Sequence, residues 1–172
     1  MKKVLSTLSL LFLSLSVIAQ DQCDCEILIH DAYFGQVYIY DQPNGEIIDS
    51  IRHDIGNEDY LLGHITAKKE DYFKVTLALE MSGVEKSGWI QKSSYIGIYA
   101  RNYGENGKLN LYTSPDKNSA VESTVNEFIY KLYTIEDCQE DWLKVQLDYE
   151  RKTYTGWMEK DMQCANPYST CN

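Results

Sequence analysis

Trp142-Leu143-Lys144-Val145-Gln146-Leu147, closing further on with Gly156-Trp157-Met158, is written into this chain twice. Leu143, Val145 and Leu147 alternate with Trp142, Lys144 and Gln146, and an alternation of period two is the signature of a strand with one face in a core. The earlier copy reads Tyr72-Phe73-Lys74-Val75-Thr76-Leu77 and closes on Gly88-Trp89-Ile90. Working outward, Leu109-Asn110-Leu111-Tyr112 and the turn Ser114-Pro115-Asp116 precede a strand-like run near Val121, and Val37-Tyr38-Ile39-Tyr40 with Pro43-Asn44-Gly45 matches them in the first copy. Pro43 and Pro115 are 72 residues apart, Val75 and Val145 are 70 apart, and Trp89 and Trp157 are 68 apart. Near-constant offsets mark one unit used twice.

The remaining segments read as strands and turns. Ile27-Leu28-Ile29 opens the first copy, Asp21 to Glu26 before it is polar and frays unless Cys23 or Cys25 ties it down, and Glu46 to Ile51 follows the first turn. Arg52 to Asp59 reads as a loop, Tyr60 to Ala67 as a strand, and Ser82 to Ser87 as a hairpin connection. In the second copy Ala120 to Val125 and Phe128 to Ile135 read as strands, and Glu136 to Asp141 as an acidic loop carrying Cys138. Asn106-Gly107 between Ile96–Ala100 and Leu109–Tyr112 is a hairpin signal, so each copy is expected to open with a hairpin. No amphipathic pattern of three helical turns follows residue 20. The expectation is all-β: two tandem small antiparallel β-barrels packed end to end, without a linker, over residues 20–94 and 95–172.

Residues 1–19 read as a secretory signal peptide: Lys2-Lys3, an apolar run from Val4 to Ile18, and a small residue at Ala19. The expected localisation is therefore exported, periplasmic or extracellular, with no membrane span after cleavage. Removing those residues takes away two lysines and no acid and leaves 14 basic and 26 acidic residues, net −12. Such a charge argues against nucleic acid and anionic membrane surfaces as partners. Export permits disulfides among Cys23, Cys25, Cys138, Cys164 and Cys171, and the odd number leaves one thiol over. Cys164–Cys171 is the favoured pair, because Asn166-Pro167 between them turns the chain back. The partner of Cys138 stays open.

The repeated pattern of strand, turn-Pro, mid strand, Trp-x-Lys-Val and Gly-Trp-(apolar) resembles bacterial SH3-like (SH3b) domains. Leu109, Leu111, Pro115, Val121, Trp142, Lys144, Val145, Gly156, Trp157 and Met158 carry the resemblance in the second copy, and Val37, Ile39, Pro43, Ile47, Tyr72, Lys74, Val75, Gly88, Trp89 and Ile90 in the first. Tyr72 departs from the usual Trp, and Tyr40 and Tyr112 stand where the family often has Arg. The resemblance implies small five-stranded barrels and non-catalytic binding of cell-wall material or an envelope protein.

Among residues that could carry a function, aromatic side chains opposite the core set come first: Tyr38, Tyr40, Tyr60, Tyr72, Tyr112, Tyr130, Tyr133, Trp142 and Tyr149. They suit a groove stacking on sugar or peptide, and equally suit cross-strand pairing on an outer face. Repeat symmetry selects Tyr40 with Tyr72 and Tyr112 with Trp142 as ligand-binding pairs, while Trp89 and Trp157 read as packing residues. Cys23-x-Cys25 with His30 lacks structural-zinc spacing, so no metal and no cofactor are expected. Gly-x-Ser-x-Gly, a phosphate loop and His-Glu-x-x-His are absent from the sequence, and no His lies in the second copy. The expected function is a binding module for peptidoglycan or another envelope ligand. A protein–protein adaptor or structural envelope component is the alternative, and a hydrolase with an unrecognised carboxylate pair the third.

Overall fold

The computed structural model describes residues 22–104 and 107–171. The expected signal peptide at 1–19, and Asn106 of the hairpin signal, lie outside them. Thirteen strands form: β1 (Gln22–Ile29), β2 (Val37–Tyr40), β3 (Ile47–Ile51), β4 (Leu61–Lys69), β5 (Tyr72–Leu79), β6 (Glu85–Gln91), β7 (Ile96–Ala100), β8 (Leu109–Tyr112), β9 (Val121–Val125), β10 (Tyr133–Gln139), β11 (Trp142–Tyr149), β12 (Lys152–Met158) and β13 (Gln163–Cys164). Short 3-10 turns at Ile55–Asn57 and Lys160–Met162 are the helical elements of the described residues.

The strands lie in the order β3-β2-β6-β5-β4-β1-β7-β10-β11-β12-β8-β9, with β13 beside β7. The order is a palindrome, since β1 to β6 take the same neighbours in the first unit as β7 to β12 in the second. Registers repeat as well. Val75 pairs Gly88 and Val145 pairs Gly156; the ladder shifts at Ile65/Ala67 and again at Ile135/Asp137.

Two corrections follow. The strands do not make two closed barrels set end to end: they make one open antiparallel sheet, because β1 pairs with β7 (Leu28 opposite Gly97, Ile29 opposite Ile96) and the path ends at β3 and β9. Nor does either unit open with a hairpin. Both edges of β1 are taken by β4 and β7, and those of β7 by β1 and β10, so β2 and β8 must find partners elsewhere. The acidic stretch also differs from expectation. Glu136–Gln139 is the end of β10, held opposite β11 with Cys138 turned inward, and Phe128 to Lys131 lie outside any strand.

Alternation builds the core as expected from it. Val37 and Ile39, Phe73, Val75 and Leu77, and Leu143, Val145 and Leu147 are all buried. Complete burial of one such side chain contributes roughly 1.5–3 kcal/mol. Tyr72 and Tyr133, read from the sequence as surface aromatics, are buried too, at 6% and 0% exposure.

Three devices lock the seam between the units. Cys23 of β1 is bridged to Cys138 of β10. Beside the bridge, Asp24 N–H donates to Glu140 O (2.6 Å) and Glu140 N–H to Gln22 O (2.8 Å), so the polar start of β1 is ordered. Lys68 of β4 pairs with Asp137 of β10 at 2.8 Å. The third device is the tail: β13 pairs with β7, Cys164 is bridged to Cys171, and Tyr168 Oη donates to Glu58 O (2.9 Å) in the first unit.

His53 is a buried joint of the first unit. Its Nδ1 accepts Leu61 N–H at 2.9 Å, which places the proton of the neutral ring on Nε2, 3.1 Å from His30 O. Burial pushes its pKa below the ordinary 6.5. The folded state therefore holds fewer protons than the unfolded state just below that value. The His53 contribution is complete above about pH 6.5 and is lost as pH falls from there through the folded pKa. Urea midpoints measured between about pH 7.5 and 5 should drop for wild type, with a shallower slope for His53→Asn; equal slopes would refute this assignment.

Candidate ligand-binding site

Cross-strand registers assemble the same row of side chains in each unit. Tyr40 of β2 stands opposite both Ile47 of β3 and Trp89 of β6, and Trp89 stands opposite Lys74 of β5. In the second unit Tyr112 stands opposite Val121 and Trp157, and Trp157 opposite Lys144. Each row reads apolar, Tyr, Trp, Lys across four strands, on the face opposite Val75 and Val145; Trp157 within it is buried at 9% exposure, while Trp89 is partly exposed. Directly opposed residues on one face lie close enough for their side chains to touch.

The two sequence-selected pairs meet beside these rows. Tyr40 and Tyr72 pack edge to face with ring centroids 5.5 Å apart, and Tyr112 and Trp142 do the same at 5.7 Å. That geometry is favourable for aromatic rings because the positive edge of one meets the negative face of the other. The pairs are not equally open. Tyr72 is buried, whereas Tyr112 and Trp142 both remain half-exposed. Sequence reasoning missed Ile47, Val121, Lys74 and Lys144 as members of the rows. Their signal was available in the Trp-x-Lys spacing together with the register of the closing Gly-Trp strand.

Clefts occur elsewhere, along the seam. One of about 430 Å³ is lined by His30 and Ser94, by Tyr99 and Tyr130, and by Gln146 and Asp148 with their neighbours. The rings of Tyr99 and Tyr130 stack at 4.7 Å and 17°. A second of about 380 Å³ is charged, with Asp24, Glu26 and His64 facing Arg101, Lys160 and Asp161; His64 Nε2 lies 2.9 Å from Asp24 Oδ1. A third of about 270 Å³ lies under the tail, between Leu62, Gly63 and Ala165 to Tyr168. None of these is lined by Tyr40, Tyr72, Tyr112 or Trp142.

Cys25, Cys138 and Asp59 are held in structural roles. Cys25 is the free cysteine and is buried. Its Sγ lies 3.3 Å from Glu140 O and 3.6 Å from Trp142 O, and burial pushes the thiol up to about 12. A thiol so placed carries almost no thiolate at neutral pH. Cys138 is committed to a disulfide. Asp59, buried in the first unit, is used structurally: burial opposes its charge, but hydrogen bonds from Met81 and Ser82 outweigh that and hold it below the usual carboxylate range. Among the described residues no group of three or more His, Cys, Asp or Glu side chains is arranged to hold a metal ion, and no helix is long and apolar enough to cross a membrane.

No family model, curated protein or solved structure matches the chain.

Proposed function

We propose that this chain is an exported, non-catalytic binding protein of two SH3-like units that takes cell-wall material or another envelope ligand on its outward aromatic rows. The observation that carries the reading is the recurrence, in identical register, of Tyr40-Trp89-Lys74 and Tyr112-Trp157-Lys144 on the outer face. Large flat rings beside a cation suit a ligand with an apolar or sugar face and a carboxylate, which wall fragments combine. Two disulfides are consistent with an oxidising compartment.

The purified mature protein should sediment with insoluble peptidoglycan, and Trp142→Ala should reduce the bound fraction by about tenfold, the equivalent of ~1.4 kcal/mol of lost ring contact. Folded wild type left wholly in the supernatant would remove the wall as ligand.

A second reading, a protein–protein adaptor, rests on an asymmetry between the units. Tyr38 and Ile48 are 49% and 59% exposed in the first unit, where the second has Asn110 and Glu122. Apolar surface retained at one unit and replaced by polar groups at its equivalent suits a protein partner.

A further inference from the structure

We infer that the seam cleft around Tyr130 binds a neutral saccharide, a specific site beyond the aromatic rows of the proposed binding protein. Tyr130 precedes β10 and is 48% exposed, while Tyr99 beneath it on β7 is buried. Stacking covers one face of the Tyr130 ring and holds it rigid, and the exposure that remains offers the other face. A pyranose ring presents a face of C–H groups that packs on such a surface, while its hydroxyls turn outward.

Around this ring the cleft supplies partners for hydroxyls. Gln146 Nε2 donates to Asp148 Oδ2 at 3.1 Å, which fixes the amide and leaves its carbonyl as an acceptor. Asp148 receives Thr153 Oγ1 as well, and these hydrogen bonds keep its carboxyl charged and oriented. His30 also lines the cleft, with its Nδ1 held 3.0 Å from Ala32 N and 3.2 Å from Asp31 Oδ1. Ser94 completes the rim. The volume of about 430 Å³ has room for a sugar ring and part of its neighbour. A neutral ligand is favoured because the lining carries one charge of each sign, Lys131 and Asp148.

The first unit shows what becomes of the equivalent place when it is not used. Tyr60 stands where the second unit has Tyr130, and Leu62 where it has Leu132. Tyr168 of the tail packs edge to face on Tyr60 at 5.5 Å, and its hydroxyl bonds Glu58 O and Tyr60 N–H. Thr76 and Ala78 replace Gln146 and Asp148, so the hydrogen-bonding rim is missing there. The chain lays its own aromatic ring on Tyr60 at the rimless place, while Tyr130 at the rimmed one stays open.

The test is titration of the mature protein with chitotriose, cellotriose and maltotriose, followed by NMR chemical shifts. At least one should give saturable binding at one site. Tyr130→Ala should weaken it about tenfold or more, Gln146→Ala should weaken it, and Tyr130→Trp should retain it. No saturable shift with any of the three on folded protein, or binding indifferent to Tyr130→Ala, overturns the inference. Because Trp142 and Tyr130 lie at separate places, wall sedimentation sensitive only to Trp142→Ala would leave the proposed function standing while the saccharide site falls, and the reverse pattern would do the opposite.

Discussion

Replacing Cys23 and Cys138 together by alanine should lower the unfolding free energy by about 4–5 kcal/mol, the largest single effect expected in this protein. The bridge closes a chain segment of sequence separation 115, whereas Cys164–Cys171 spans 7. In the chain-entropy account the cost of closure grows with the logarithm of loop length, so the second bridge should contribute about 2.5 kcal/mol. The native structure adds to the difference. Cys23–Cys138 sits beside the paired hydrogen bonds between Gln22, Asp24 and Glu140, which would fray with it, while Cys164–Cys171 closes a surface turn. Urea unfolding of the two double-alanine proteins measures both. A larger loss from Cys164→Ala/Cys171→Ala would contradict the view that the long bridge dominates.

Gly156→Ala should cost about 2–4 kcal/mol, and Gly88→Ala a similar amount. Gly156 has φ 136°, and a Cβ there would come within 2.9 Å of both Leu111 Cβ and Tyr112 O. At Gly88 a Cβ would lie 2.4 Å from Ile39 Cγ2 and 3.0 Å from Tyr40 O. Ile39 is fully buried and cannot step aside, and the carbonyl oxygens belong to paired strands. These contacts explain the Gly-Trp motif physically. Glycine lets β8 cross closely over β12, and β2 over β6, so that Tyr112 meets Trp157 and Tyr40 meets Trp89. Denaturant midpoints that move by less than about 0.5 kcal/mol would show that the strands separate freely at this crossing.

Legibility in the sequence followed the range of the interaction. Alternation is local, so Phe73, Val75 and Leu77, and Leu143, Val145 and Leu147, could be placed in the core from sequence alone. Repeat spacing carries the comparison between units, and it singles out Tyr112 with Trp142 and Tyr40 with Tyr72, whose rings meet in the fold. The seam was not legible. Nothing periodic in Ile27-Leu28-Ile29 or Ile96-Gly97-Ile98 says that these strands pair with each other, and pairing across the seam is what opens two expected barrels into one sheet. Composition misled at Glu136 to Asp141, where acidic residues suggested a loop but Cys138 draws the segment inward as a strand. The Tyr130 cleft draws on a loop, β7 and β11 together, and no single stretch displays it.

The palindromic strand order has a final consequence. Leu28 lies opposite Gly97 at the seam, and one step along the same register puts Ile27 opposite Ile98. These two residues hold the same place in their units, one opposite Gly63 and the other opposite Tyr133. A patch that meets its own counterpart is the isologous contact of a twofold dimer, here with both subunits on one polypeptide. Two separate identical subunits would present two identical clefts, both occupied or both open. Here the segment after β12 runs back over one unit only, where Tyr168 packs on Tyr60, so the twofold is broken at this pair of places and Tyr130 keeps an open ring where its twin is capped.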